Sequence, residues 1–283
     1  MPSYKHKIDV AEQLLHAVNL PQLPSVVIKL QKLLTESEVP SHDKILAIVS
    51  SNPFMTGELV SLANTPCITN SQNNDIKDLK AAIHRLGSKF IKNYALSIAI
   101  QSLLDDDKIK GLSYHSQNIA ILAAQIARYS EGIRPDEAYL LGVLHDIGAF
   151  ALAEIDDSYG STFVGSLANH FDVEEHEFEK YGTTHSALGY VIARAWNIPN
   201  SIAQSLLLHH EPKINEIANI KLKKYVAVIE LAHLLSTHQS DQKQNQSNKN
   251  DICTTLFDIL ECKEEDIREI KIASAKQQLV KIR

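Results

Sequence analysis

The sequence has few of the residues that hold small extracellular folds together and few signals for β-strands. Its 283 residues include three cysteines, Cys67, Cys253 and Cys262, an odd number without any Cys-x-x-Cys spacing. The cysteines therefore predict neither a disulfide framework nor a cysteine metal site, and we interpret them as reduced packing or surface residues. Because strand signals are nearly absent, a fold built on sheets is disfavoured.

An excess of positive charge is also lacking. The net charge of -6 gives no overall basic field, so no nucleic-acid partner is predicted. We expect no apolar run that spans a bilayer and no membrane partner. The opening residues 1–7 are too polar for a signal peptide. These features together predict a cytoplasmic protein.

The sequence is rich in helical periodicity and in residues that begin and end helices. Pro53 stands at a first helical position after Ser51-Asn52, and Asn64 with Pro66 ends that helix. The pattern predicts an all-α, multi-helix fold. Its expected parts are an N-terminal helical subdomain at 1–105, a helical bundle at 106–236, a mobile polar loop at 237–251 and C-terminal helices at 252–283.

The loop prediction depends on composition. Residues 237–250 contain no apolar side chain, so the segment cannot bury enough surface to offset the entropy of ordering it. Helices at Ile252–Leu260 and Glu264–Ile282 are expected to return to the bundle or to contact a partner.

The adjacent pair His145-Asp146 is the first candidate for metal binding. It ends an apolar helical run that begins with acids after Pro135 and stops at Gly148. A buried, ionised aspartate without a partner is costly, and a cation is its natural companion. For this pair alone, an alternative is a protonated His145 that stabilises the helix C-terminus, with Asp146 as its hydrogen-bonded neighbour.

Four more histidines lie at predicted helix ends. His115 is in the first turn of a helix, His185 begins one that continues to Trp196, and His209-His210 close the helix that starts after Pro199. A lone histidine in any of these places is more often a core or surface residue. The agreement of four helices nevertheless predicts a shared site for iron, zinc or manganese.

The order His, His-Asp, His, His-His resembles the HD superfamily, and in particular the HDOD group of bacterial signalling domains. The resemblance spans roughly residues 20–235. Its other motifs are Leu23-Pro24-Ser25, Ser51-Asn52-Pro53-Phe54-Met55, Leu62-Ala63-Asn64, Ala81-Ala82-Ile83-His84-Arg85-Leu86-Gly87 and Trp196-Asn197-Ile198-Pro199. It implies an HD-type helical bundle preceded by an N-terminal helical subdomain.

The resemblance also implies a site for one or two metal ions. His115, His145 and Asp146 would hold one ion, and Asp146 would bridge to a second ion at His185 and His209. His210 would ligate or support a ligand. In hydrolytic members of the superfamily such ions lower the pKa of a bound water and neutralise phosphate charge. His145 and Asp146 are therefore the candidates for catalytic residues.

Three departures from the superfamily pattern disfavour hydrolysis. His233 stands where the enzymes usually have a second aspartate; imidazole can ligate but brings no negative charge, which favours a single ion or partial occupancy. Ala149 replaces a lysine that meets the phosphate in many phosphodiesterases. Pro212 and the residues after it replace the Gly-Tyr-Pro element of cyclic-dinucleotide phosphodiesterases.

Two functions follow from the sequence. The first is a non-catalytic signalling or scaffolding module that binds an unidentified signalling protein and retains a structural metal. The second is a metal-dependent phosphohydrolase acting on a phosphoester or nucleotide. Because of the three departures, the non-catalytic module is the predicted function and the phosphohydrolase is the alternative.

Overall fold

The computed structural model describes residues 3–18, 22–36, 41–69, 75–88, 90–104, 108–166, 173–237, 246–263 and 265–270. Helices dominate these residues and no strand occurs among them, which confirms the all-α prediction. The α-helices are α1 Tyr4–Leu15, α2 Ser25–Glu36, α3 His42–Val49, α4 Pro53–Ala63, α5 Pro66–Thr69, α6 Leu79–Leu86, α7 Ile91–Leu104, α8 Leu112–Ala127, α9 Pro135–Leu144, α10 Ile147–Ile155, α11 Tyr159–Ser166, α12 Val173–Tyr181, α13 His185–Ala195, α14 Asn200–Leu208, α15 Ile220–Thr237 and α16 Gln246–Leu260.

Short polar side chains begin the N-terminal helices. Asn52 accepts a hydrogen bond from the Met55 N–H at 3.0 Å, and Asp78 accepts one from the Ala81 N–H at 2.8 Å. Each bond satisfies a backbone donor that has no partner within its helix. The predicted helix after Asn52 runs over Pro53–Ala63 and ends at the cap Asn64, as the sequence indicated.

Two glycines let helices of the second half approach closely. A Cβ on Gly142 of α9 would lie 2.4 Å from Ala120 Cα of α8, and a Cβ on Gly148 of α10 would lie 1.9 Å from the His185 carbonyl oxygen. Helix α15 packs on α8, α9 and α14. The histidine-bearing ends of α9, α13 and α14 thereby meet in one place.

The N-terminal helices share a hydrophobic core with the rest of the chain. Helix α7 packs on α9, and the Asn93 side chain donates to Asp136 Oδ2 at 2.6 Å across that contact. The Gln31 amide donates to the Trp196 carbonyl at 3.2 Å. The predicted subdomain boundary at residues 105 and 106 lies outside the described residues.

The prediction of a polar loop at 237–251 is partly wrong. Thr237 ends α15, and α16 begins at Gln246, six residues before the predicted helix start at Ile252. Buried Leu256 and Leu260 anchor α16, and a helix anchored by packing extends through residues such as Gln, Ser and Lys at little cost. Residues 238–245 lie outside the described part.

The last predicted helix, Glu264–Ile282, is described only in part. Residues 265–270 are helical, and Ile267 and Ile270 are buried against the bundle. Residues 271–283 lie outside the described part of the chain, so the rest of this prediction is untested.

The expectation of no membrane-length apolar run requires a correction. By length and composition alone, Pro135–Ile155 would cross a bilayer, with a mean hydropathy of 1.4 over its 18-residue window. This segment contains α9 and α10, and 89% of the window is buried inside the protein. Its apolar character matches its position in the core.

Candidate metal centre

All seven side chains selected from the sequence lie together at the centre of the second half. The structure divides them into two ligand groups, within each of which the ligand atoms lie no more than 4.8 Å apart. The first ligand group contains His115, His145 and His233; the second ligand group contains Asp146, His185, His209 and His210.

The first ligand group joins α8, the end of α9 and α15. His145 Nε2 lies 3.2 Å from His115 Nε2 and 3.1 Å from His233 Nε2. His145 is fully buried and the side chain of His115 is 17% exposed. His233, which replaces the second aspartate expected from the resemblance, therefore faces the same point as the other two imidazoles.

The second ligand group joins the first turn of α13 to the end of α14. His185 Nε2 lies 3.0 Å from His210 Nε2 and 3.3 Å from His209 Nε2. The resemblance left the role of His210 open. In the structure its Nε2 faces the same point as those of His185 and His209.

Asp146 connects the two ligand groups. Its Oδ2 lies 2.8 Å from His145 Nε2 and 3.5 Å from His115 Nε2. Its Oδ1 lies 3.6 Å from both His185 Nε2 and His209 Nε2. One carboxylate thus presents one oxygen to each ligand group, as a bridging ligand would.

Backbone carbonyls orient two of the imidazoles. The Nδ1–H groups of His145 and His209 donate to the carbonyls of Gly142 and Leu206, each at 2.7 Å. Both histidines follow directly after a helix, so the carbonyl three residues earlier is within reach. With Nδ1 protonated, Nε2 of the neutral ring carries the lone pair that ligates metals.

Glu177 on α12 was not among the candidates that the sequence indicated. Its carboxylate accepts hydrogen bonds from His185 Nδ1 at 2.9 and 3.0 Å, from the His185 backbone N–H at 2.7 Å and from the Tyr159 hydroxyl at 2.5 Å. The side chain is 1% exposed. The only sequence signal was an acid eight residues before His185 in a charged helix, which ordinarily indicates a solvated surface.

The electrostatics of the site favour a positive charge at its centre. Burial lowers the pKa of His145, so its ring is neutral despite the nearby Asp146. Burial acts to raise the pKa of Asp146, but the surrounding imidazoles, His145 above all, hold it well below its ordinary value. For His185, burial is outweighed by Glu177 and Asp146, which raise the pKa to about 9.

The donor set fits a transition-metal ion. In the neutral tautomer, His145 Nε2 directs a lone pair at an ionised oxygen and at two other imidazole nitrogens within 3.2 Å. Such an arrangement is repulsive unless a proton or cation lies among the atoms. Imidazole with carboxylate suits iron, zinc and manganese.

The sequence profile of the HDOD domain matches residues 20–212, more than half of the chain. This protein belongs to the HDOD family. The family predicted from the order of the histidines and the aspartate is therefore confirmed. A curated relative of the HDOD protein, an uncharacterised protein of Treponema pallidum strain Nichols, is 23% identical over 199 residues. The match covers 68% of this chain and 38% of that relative, so it spans about two fifths of the relative's length.

Solved structures show the same fold. An HDOD domain protein of unknown function from Geobacter sulfurreducens superposes with a TM-score of 0.72 at 20% identity, over 99% of this chain and 97% of that one. A protein from Shewanella amazonensis SB2B, provisionally called a phosphohydrolase, gives 0.70 at 17% identity, over 96% and 98%. A provisional signal transduction protein from Marinobacter aquaeolei VT8 gives 0.64 at 18%, over 97% and 65%. At these identities the likeness shows the fold alone.

Proposed function

We propose that this HDOD protein is a cytoplasmic bacterial signalling module whose buried centre holds one or two transition-metal ions in a structural role. Its partner is another signalling protein, and neither a nucleic acid nor a membrane is part of its function. The Marinobacter structure supports the signalling assignment by its fold and its provisional description.

The burial of the centre carries this proposal. His145 and His185 are fully buried, His209 is 1% exposed and Asp146 is 3% exposed. A phosphoester would have to reach these atoms, whereas an ion that holds four helix ends together needs no such access. When bound, a divalent ion there would supply positive charge and Lewis acidity.

The charge of a cavity beside the centre also supports a structural role for the metal over hydrolysis of a phosphoester. It has a volume of about 440 Å³ and lies next to His209, against α15 and α16. Its ionised lining is three carboxylates, Glu211, Glu216 and Glu230, against one ammonium, Lys213. A phosphate group entering here would meet net negative charge, which opposes its binding.

A metal-dependent phosphohydrolase acting on a phosphoester or nucleotide is the second candidate. The specific observation in its favour is Asp146, whose two oxygens each face one ligand group. Two ions bridged in this way are the arrangement of many hydrolases. The Shewanella fold relative is consistent with this alternative.

Metal content and turnover measured on the same preparation test the proposal. We expect at least one iron, zinc or manganese per chain by elemental analysis, and no turnover of bis-p-nitrophenyl phosphate or of a nucleotide panel. Metal removal by chelation should lower the thermal midpoint, because an ion that binds only the folded state stabilises it by about 3–4 kcal/mol at 100 to 1,000 times its dissociation constant.

Asp146→Ala and His145→Ala provide the matched comparison. Both should lose metal and the chelator-sensitive part of the stability. Turnover by the wild-type protein that these variants abolish would instead establish the hydrolase, and absence of metal from every preparation would contradict both functions.

A further inference from the structure

The two ligand groups differ in the negative charge that surrounds them. The first ligand group consists of three imidazoles and shares Asp146 only through Oδ2. Asp146 presents one oxygen to each group, so the difference between the groups is the buried Glu177, which lies directly behind His185 of the second ligand group. Cation affinity rises with negative charge in and around the ligands, so the groups are not equivalent.

Glu177 contacts both the backbone and the ring of His185. Three donors converge on its carboxylate: the His185 backbone N–H, the His185 ring and the Tyr159 hydroxyl. The backbone bond fixes where His185 begins α13, and the ring bond fixes the direction of Nε2. A carboxylate behind a ligating imidazole also raises its basicity.

The imidazoles of His145 and His209 are oriented by weaker hydrogen-bond acceptors. The Nδ1–H groups of His145 and His209 donate to backbone carbonyls, which carry only a partial negative charge. A second acid near His185, Glu174, lies 3.4 Å from the Lys7 ammonium. That ion pair offsets its charge, so Glu177 is the acid that distinguishes the second ligand group.

We propose that Glu177 is a positioning residue that makes the second ligand group the tight cation site and leaves the first ligand group as a weaker, exchangeable one. This inference rests on the proposed function, since it requires that the centre binds metal.

Titration of the metal-stripped full chain with cobalt tests which ligand group is the tight site. Visible absorption is the signal, and a competing chelator sets the concentration of free cobalt. The wild-type protein should fill in two steps of different affinity. Glu177→Gln keeps the shape but removes the charge, so it should weaken the first step about 10- to 100-fold and leave the second unchanged. His233→Ala should abolish the second step and preserve the first.

Glu137→Gln is the matched control. Glu137 is also a buried glutamate that accepts a tyrosine hydroxyl, that of Tyr225, but its other partners are Arg134 and Lys221. It should alter stability and leave both cobalt steps in place. Glu177→Asp, which retains the charge, should recover part of the first step.

The outcomes separate this inference from the proposed function. Two wild-type steps with the first unaffected by Glu177→Gln would overturn the role of Glu177. Two equal steps would overturn the inequivalence, even if Glu177→Gln fails to fold. No cobalt binding by the wild-type protein would overturn this inference and the metal-holding function together.

Discussion

At the scale of single residues, the role of a side chain in the centre depends on its burial and not on its residue type alone. Glu177 is an acid in a helix rich in ionisable residues, yet it is buried beneath His185. Ala149, where many phosphodiesterases have a lysine, is 0% exposed and lies in the core. An alanine at that position supplies no side-chain cation to the centre.

The cysteines allow a prediction at this scale. Burial raises the pKa of the Cys262 thiol to about 11, and Cys262 is 9% exposed while Cys253 is partly exposed. At pH 8 only about one Cys262 thiol in a thousand is ionised. Iodoacetamide followed by peptide mass spectrometry should therefore modify Cys253 well before Cys262 in the native protein. Equal rates without denaturant would contradict the burial of Cys262.

At the scale of elements, close contact between helices places the ligands. Helix α10 packs against α13 at Gly148, where the backbone of His185 leaves no room for a side chain. Thr184 caps α13 by accepting the Ala187 N–H at 3.3 Å, so His185 is the first helical residue. Asp146 and His185 are brought together because α10 and α13 begin beside each other.

Gly148→Ala tests this contact. The added Cβ would meet the His185 carbonyl, so the helices must separate, and we expect a loss of about 1–3 kcal/mol in stability together with weaker metal binding. Gly57→Ala in α4 is the control, because nothing lies within 4 Å of its Cβ position. Alanine there should stabilise the helix by about 0.5–1 kcal/mol. Urea denaturation and metal analysis of both variants provide the measurement; equal effects would refute the steric argument.

At the scale of the whole molecule, the two halves share one continuous core. Asp136 at the start of α9 accepts hydrogen bonds from Arg134 at 2.6 and 3.0 Å, in addition to the one from Asn93 on α7. The Gln31 bond to Trp196 joins α2 to the end of α13. The N-terminal helices are thus tied to the half that carries the ligands.

A single unfolding transition is the expected consequence. Trp196 is the only tryptophan and reports on the second half, whereas far-ultraviolet circular dichroism reports on all helices. In urea, at constant metal saturation, the two signals should change at the same midpoint, because partial unfolding would expose the shared core. Loss of part of the helical signal before the tryptophan signal would show that the N-terminal helices unfold separately.

The sequence by itself determined the fold class, the family and the seven candidate ligands. Helix periodicity and caps such as Asn52 act locally, so they are visible in the order of residues. The motif His145-Asp146 and the other candidate histidines can also be recognised from their order along the chain. The start of α16 was misplaced because packing of Leu256 and Leu260 extended a polar segment into helix.

Only the tertiary structure decided how the ligands are divided and what supports them. The placement of His233 with His115 and His145, the two directions of the Asp146 oxygens and the burial of Glu177 depend on helices far apart in the chain. Distances between such helices are set by close contacts such as the one at Gly148. These contacts cannot be read from the pattern of residues along the chain.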